Sequence, residues 1–342
     1  MRLAASTVAL AVAMLLSLAA QALPPVAAIA DPPPFDAWLA ELRTEAESRG
    51  YTREFLDRAF ADLKPVEQIL ERDRTQAEFT LDLDAYLKRR LTPPTIRIAR
   101  QMHAKHASVL AKIEKAYGVP SRIVVSVWGL ESNFGRFAGV RPTIPALATL
   151  AYDQRRAAFF RGELFNALEI VNRGDIELER LKGSWAGALG QPQFMPSSYL
   201  QYAQDFDGDG RKDIWSSSAD VFASIAYYLQ QHGWERGSSW GREVTLSPIL
   251  QKAALEIPRR ETGCRARRLM TEPRPLTGWR KMGLRTTGKT LVPTSTMPAS
   301  LVSAGSKWYL LYGNYEALLG YNCAHSYALS VALLADRLQP SR

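Results

Sequence analysis

A mainly helical fold carrying a small β or irregular subdomain is what this sequence predicts, and three observations carry that reading. Apolar residues recur at helical spacing from Phe35 to about Gln231, and glycines and prolines cut the pattern into helix-length pieces. Only between Gly241 and Lys307 does it dissolve into prolines, glycines and short β-prone runs. At 342 residues, 46% hydrophobic and 23% charged, the chain can bury a substantial core as one large domain or two to three smaller ones, and disorder is excluded as its default.

The first 22 residues stand apart. Arg2 precedes an uncharged stretch from Leu3 to Ala20, and Ala20-Gln21-Ala22 forms a small-x-small site. That pattern predicts a secretory signal cleaved after Ala22, followed by a Pro/Ala-rich linker over 23–34. An uncleaved membrane anchor is the competing reading, against which the run is short and alanine-rich. Cys264 and Cys323 are the only cysteines, so none stands near the signal to take a lipid. A soluble, periplasmic, monomeric protein is therefore expected. Export also makes one disulfide between the two cysteines plausible, with two free buried thiols as the alternative. The net charge of +9 loses only Arg2 with the signal. A basic balance of this size suits an acidic polymer: nucleic acid, anionic lipid or a carboxylate-bearing wall polymer. Export argues against nucleic acid.

Taken in order, Phe35, Trp38, Leu39 and Leu42 start a helix that Gly50 ends, and Thr52 can cap a second one carrying Phe55, Leu56, Phe60 and Leu63. A third runs from Gln76 to Leu91 and stops at Pro93-Pro94, and a fourth spans Thr95 to Tyr117. His103 and His106 on it lack a third ligand nearby and read as surface or packing residues. A very apolar helix opens at Pro120-Ser121 and ends at Glu131, before Gly135. Helices over Ile144–Tyr152, Phe159–Val171 and Ser218–Gln231 follow, then a strand at 308–312, a short helix at 315–319 and a last helix at 326–338. This gives an N-terminal helical region at 35–117, a central core at 118–235, a small β or irregular subdomain at 236–307, and a closing segment at 308–342.

Three stretches carry chemistry. Glu131 sits in the last turn of a core helix, where desolvation and the helix dipole both disfavour its ionised form. A carboxyl kept protonated near neutral pH can serve as a general acid for glycosidic cleavage, although a bland helix-end glutamate has the same local pattern. The small-residue stretch Leu181–Tyr199 interleaves Trp185, Gln193, Phe194 and Tyr199, which suits either a sugar cleft or a tight crossing of helices. Asp205, Asp207 and Asp209 followed by Gly210 match the first half of an EF-hand loop. Its twelfth position falls on Ser216, so the expected calcium ligands are Asp205, Asp207, Asp209, the Arg211 carbonyl and, as the displaced last ligand, Asp220.

Together these blocks resemble the lytic murein transglycosylases of the membrane-bound type B, glycoside hydrolase family 103, from Phe35 to the C-terminus. The resemblance rests on Trp128-Gly129-Leu130-Glu131-Ser132-Asn133-Phe134-Gly135, Ala146–Tyr152, Lys182–Ala188, Gln193–Tyr199, Asp205–Trp215, and Tyr321-Asn322 with Tyr327. It implies a lysozyme-like helical core with Glu131 as the single acid/base. It also implies sugar contacts from Ser184, Gln193, Tyr228, Tyr321 and Tyr327, and a structural calcium site. Peptidoglycan glycan strands would be the substrate, wall-synthesis proteins potential partners, and no cofactor would be needed for the chemistry. Gln191-Pro192 departs from the pattern ahead of Gln193. The same cleft would equally serve a hydrolytic muramidase, and a non-catalytic calcium-braced wall-binding protein is the rival from another class.

Overall fold

The computed structural model describes residues 33–76 and 82–339, so the expected signal peptide and nearly all of the linker lie outside the described residues. The chain begins with α1 (Phe35–Ser48), α2 (Arg53–Ala59), α3 (Glu67–Gln76), α4 (Leu83–Arg90), α5 (Pro93–Lys105) and α6 (Ala107–Tyr117). Next come α7 (Ser121–Ser132), β1 (Arg141–Pro142), α8 (Thr143–Tyr152), α9 (Ala157–Asn172), β2 (Lys182–Gly183), α10 (Pro196–Tyr202) and α11 (Ser218–Gln231). The remainder adds β3 (Gly241–Thr245), α12 (Pro248–Leu255), α13 (Arg265–Arg268), β4 (Arg274–Pro275), α14 (Leu276–Lys281), β5 (Arg285–Thr286), β6 (Pro298–Ala304), β7 (Lys307–Leu311), α15 (Gly313–Tyr321) and α16 (His325–Arg337).

Two apolar cores meet along a seam. In one, Val124, Val127 and Trp128 of α7 pack with Ile225 and Leu229 of α11, Leu110 and Ile113 of α6, and Val331 and Leu334 of α16. In the other, Trp38 and Leu42 of α1 pack with Leu147 and Leu150 of α8 and Leu164 and Leu168 of α9. Tyr321 packs against both, which places the end of α15 on the seam. The N-terminal helices thus do not form a separate layer: α1 to α3 join the second core, α5 and α6 the first.

Helix α7 buries Ile123, Val124, Val125, Val127, Trp128 and Leu130, each fully buried aliphatic contributing roughly 1.5–3 kcal/mol. Its start differs from the expected hydroxyl cap. Pro120 holds the N-cap position, and the Ser121 amide donates instead to Glu114 Oε2 of α6 at 2.8 Å. The expected helix over 95–117 is two helices broken at His106, whose ring packs edge-on against Trp128 and Phe222. His103 Nε2 meets Ser121 Oγ at 3.0 Å. The expected helix over 76–91 corresponds to α4 from Leu83 onward, and α3 precedes it as a separate element.

The late subdomain is a five-stranded antiparallel sheet in the order β4-β6-β7-β3-β5. It covers Trp279, Leu284, Leu301 and Leu310. Helices α12, α13 and α14, of eight, four and six residues, are too short to show a period in sequence. The boundary read at 307/308 is corrected here. It cuts the β6–β7 hairpin, in which Leu301 pairs with Leu310, and β7 also pairs with β3. Cys264 and Cys323 are joined in a disulfide that ties the start of α13 to the segment after α15.

Candidate active site

The last turn of α7 is fixed by short-range geometry. Asn133, Phe134 and Gly135 all adopt left-handed backbone, with φ of 49°, 59° and 80°. Ser132 Oγ pins this turn by donating to the Trp128 carbonyl at 3.0 Å and accepting from the Gly135 amide at 3.1 Å. The fold-back lays the Phe134 ring over Gly129, where a Cβ would sit 2.5 Å from it, and edge-on to Trp128. Any larger residue at 129 would displace that ring. The Trp-Gly-Leu-Glu-Ser-Asn-Phe-Gly run is therefore a device for stopping the helix one residue after Glu131 and keeping it there.

Glu131 is only partly exposed, and burial raises its pKa to about 7. Two groups oppose that rise, the Tyr327 hydroxyl and the Arg90 guanidinium. Tyr327 Oη is buried, and its hydroxyl favours the ionised carboxyl. Both Tyr321 and Tyr327 are held well above the ordinary tyrosine range by burial, with the Glu131 charge adding to the effect, and so remain neutral donors. No second carboxylate is among the groups acting on Glu131.

Four of the five sugar-site residues expected from sequence come together, Tyr321 and Tyr327 beside Glu131 and Tyr228 and Gln193 with Tyr321. Tyr321 and Tyr327 stack with ring centres 6.1 Å apart, and Tyr228 lies 4.7 Å from Tyr321. Their hydroxyls are placed by backbone: Tyr321 Oη donates to the Pro192 carbonyl at 2.7 Å and Tyr228 Oη to Gly320 at 2.9 Å. Gln193, Phe194, Tyr228 and Tyr321 line a cavity of about 370 Å³ together with Phe159, Met195, Ser197, Ser198 and Glu163. Gln193 has φ of 54° and donates its amide to the Gly190 carbonyl at 2.7 Å. Ser184 lies outside this cavity. Its Oγ accepts from the Ala186 and Ala188 amides at 3.3 and 3.0 Å and so shapes the glycine-rich turn.

Gln191, read in sequence only as a departure from pattern, is a buried tie. Its Oε1 accepts from Trp128 Nε1 and its Nε2 donates to the Trp215 carbonyl, both at 2.7 Å. It thereby joins the Glu131 helix to the aspartate loop. Glu163 is another residue that sequence reasoning passed over. Buried on α9, it accepts from the Ser197 amide (2.9 Å) and hydroxyl (2.6 Å) and so caps α10. Asp153 is structural, its carboxylate held by the Arg155 amide at 3.0 Å.

In the aspartate loop, Asp205, Asp207 and Asp209 are exposed and present carboxylate oxygens within 4.8 Å of one another. Gly208 and Gly210, at φ of 78° and 86°, make the sharp turns. All-oxygen donors converging this closely fit a calcium ion. Asp220 is not part of the cluster. Fully buried, it accepts from the Phe206 and Asp207 amides on Oδ1 (2.8 and 3.4 Å) and from Asp213 on Oδ2 (2.9 Å). In this structure its oxygens hold the loop backbone from beneath.

Comparison with known proteins agrees with this geometry. The profile of the family described as transglycosylase SLT domain matches residues 34–336. Membrane-bound lytic murein transglycosylase B of Escherichia coli (strain K12) is 40% identical over 153 residues, which is 44% of this chain and 42% of that protein. The aligned stretch thus spans less than half of that relative's length. Among solved structures, SltB3 from Pseudomonas aeruginosa, in complex with NAG-anhNAM-pentapeptide, is 38% identical with a TM-score of 0.81, covering 89% of this chain and 79% of that one. The Escherichia coli lytic transglycosylase Slt35, in complex with calcium, is 27% identical with a TM-score of 0.71, covering 90% and 93%.

Proposed function

The chain belongs to the transglycosylase SLT-domain family, and from that premise we propose that it is a lytic murein transglycosylase acting on peptidoglycan glycan strands with Glu131 as its single acid/base. One observation carries the reading. A partly exposed carboxyl with a pKa near 7 stands among tyrosines, with no second carboxylate among the groups that act on it. Two-carboxylate hydrolysis needs a second free carboxylate, and Glu163, which lines the neighbouring cavity, spends its oxygens on the Ser197 amide and hydroxyl.

Protonated Glu131 donates its proton to the oxygen linking N-acetylmuramic acid to N-acetylglucosamine, and the C1–O bond breaks. The substrate's own 2-acetamido oxygen closes on C1 and carries the positive charge. Glu131, now ionised, removes the proton from the muramic C6 hydroxyl, whose oxygen attacks C1 and displaces the acetamido oxygen. The product is a 1,6-anhydro sugar, the carboxyl ends protonated as it began, and no water enters. Tyr228, Tyr321 and Phe194 supply apolar faces for the sugar rings, and Gln193 and Ser184 polar contacts at its edges. Because the acid form starts the reaction, the rate falls as pH rises through about 7.

Calcium belongs to the same reading as a brace. Asp205, Asp207, Asp209 and the Arg211 carbonyl would hold it, and it would stiffen the loop that Gln191 ties to the Glu131 helix. A chelator should then lower the melting temperature and calcium restore it, with no change in product chemistry. Export to the periplasm through a cleaved signal fits a wall substrate.

Mass spectrometry of soluble products from purified peptidoglycan tests the assignment, with wild type beside Glu131→Gln. Muropeptides ending in 1,6-anhydromuramic acid from wild type, and none from the variant, are expected. Reducing-end products heavier by one water would make the protein a muramidase, and no turnover by either would leave the scaffold reading.

A further inference from the structure

Glu131 must be a serviceable acid and then tolerate a negative charge in the same enclosed place, and its own helix works against the second state. The carbonyl end of α7 presents partial negative charge beside the carboxylate. One cation answers it. Arg90, the last residue of α4, donates Nη2 to the Leu130 carbonyl at 3.1 Å, one residue before Glu131. Its guanidinium also lies 5.8 Å from the centre of the Tyr86 ring, one turn earlier on α4. Its Nε is buried with no hydrogen-bond partner among the described residues.

α4 is itself anchored at both ends. At its start, Asp84 Oδ2 accepts from the Ser306 amide at 2.7 Å, at the tip of the β6–β7 hairpin. At its end, Arg90 meets α7. Between them α4 packs on α16, the helix that carries Tyr327. The helix is a strap from the sheet to the last turn of α7, and Arg90 is the residue it delivers.

We propose that Arg90 is a positioning residue for Glu131: seated on the Leu130 carbonyl, its charge stabilises the carboxylate left when Glu131 has given up its proton. The inference rests on the acid/base reading of Glu131. The groups that face Glu131 are Tyr321 from α15, Tyr327 from α16 and Arg90 from α4. Helices α5, α6 and α11, which also pack on α7 or its neighbours, bring no charged group to it among the described residues. Among the described residues Arg90 is the positive charge that acts on Glu131, lowering its pKa against the effect of burial.

The test is the pH–rate profile of anhydro-product formation for Arg90→Gln, Arg90→Met and Arg90→Lys. Two neutral variants are used so that the result does not hang on the folding of either, and circular dichroism checks each. Without the charge, Glu131 is a weaker acid. The alkaline limb should move up by about 0.5–1 pH unit and kcat below pH 6 should fall severalfold, with KM little changed. Arg90→Lys should keep the limb near its wild-type place. Folded neutral variants whose limb coincides with wild type, or a lysine variant shifted as far as they are, would overturn the proposal. Failure of the acid/base reading itself shows separately, as anhydro products persisting in Glu131→Gln.

Discussion

Asp220 and Glu131 are two carboxyls that this fold treats in opposite ways. Asp220 is fully buried and receives three backbone amides. Glu131 is better placed to reach solvent, and its carboxyl is helped only by the Tyr327 hydroxyl and the Arg90 charge. Burial raises the pKa of both; amides offset the rise at Asp220, whereas at Glu131 only Tyr327 and Arg90 do so, and it settles near 7. A carboxylate whose lone pairs are occupied by its own loop is a structural part. One whose ionised form is opposed by burial and only weakly supported holds free energy that a reaction can use.

That contrast can be broken from either side. The largest effect should be on catalysis: Glu131→Gln removes the proton and should cost roughly 10²–10⁴ in rate, read as initial velocity on peptidoglycan. Asp220→Ala should leave the chemistry alone but strand three amides, at about 1–3 kcal/mol each if water does not reach them. Urea unfolding would show the loss, and chelation should no longer matter much in that variant, since the loop it braces is already loose.

The third effect is smaller and has the opposite sign. Glu131 has a folded pKa of about 7 against 4.5 for an ordinary glutamate, so its ionisation opposes folding. The penalty is absent below about pH 4.5, grows as pH rises, and is complete above about 7, reaching an upper bound of roughly 3 kcal/mol. Glu131→Gln should therefore be more stable than wild type at pH 8.5 and equal to it at pH 4. Paired thermal melts would expose the error if the two curves stayed parallel. Smallest is Gln191→Leu, which leaves Trp128 Nε1 and the Trp215 carbonyl without their present partner and should cost about 1–3 kcal/mol.

The Glu131 helix was legible because its signals are local: an apolar run, a glycine exit at Gly135 and a glutamate at the end. The aspartate loop was legible for the same reason, through alternating carboxylates and turn glycines. The amide bonds of Asp220 were not legible because sequence spacing shows how far a carboxylate is from its loop but not which way its oxygens turn. Gln191 and Arg90 were missed because their partners lie 63 and 40 positions away along the chain. The sheet was underread because β4 and β5 have only two residues each and β6 is buried at five of its seven positions, without alternation.

The account stands on a cleavage in which the C6 hydroxyl, and not water, reaches C1. Digesting purified peptidoglycan in water enriched in ¹⁸O and weighing the products tests this directly. Muropeptides without the heavy isotope at the muramic end, terminating in the 1,6-anhydro ring, are the predicted result. Incorporation of one ¹⁸O per cleaved bond would contradict it and make Glu131 the acid of a hydrolase.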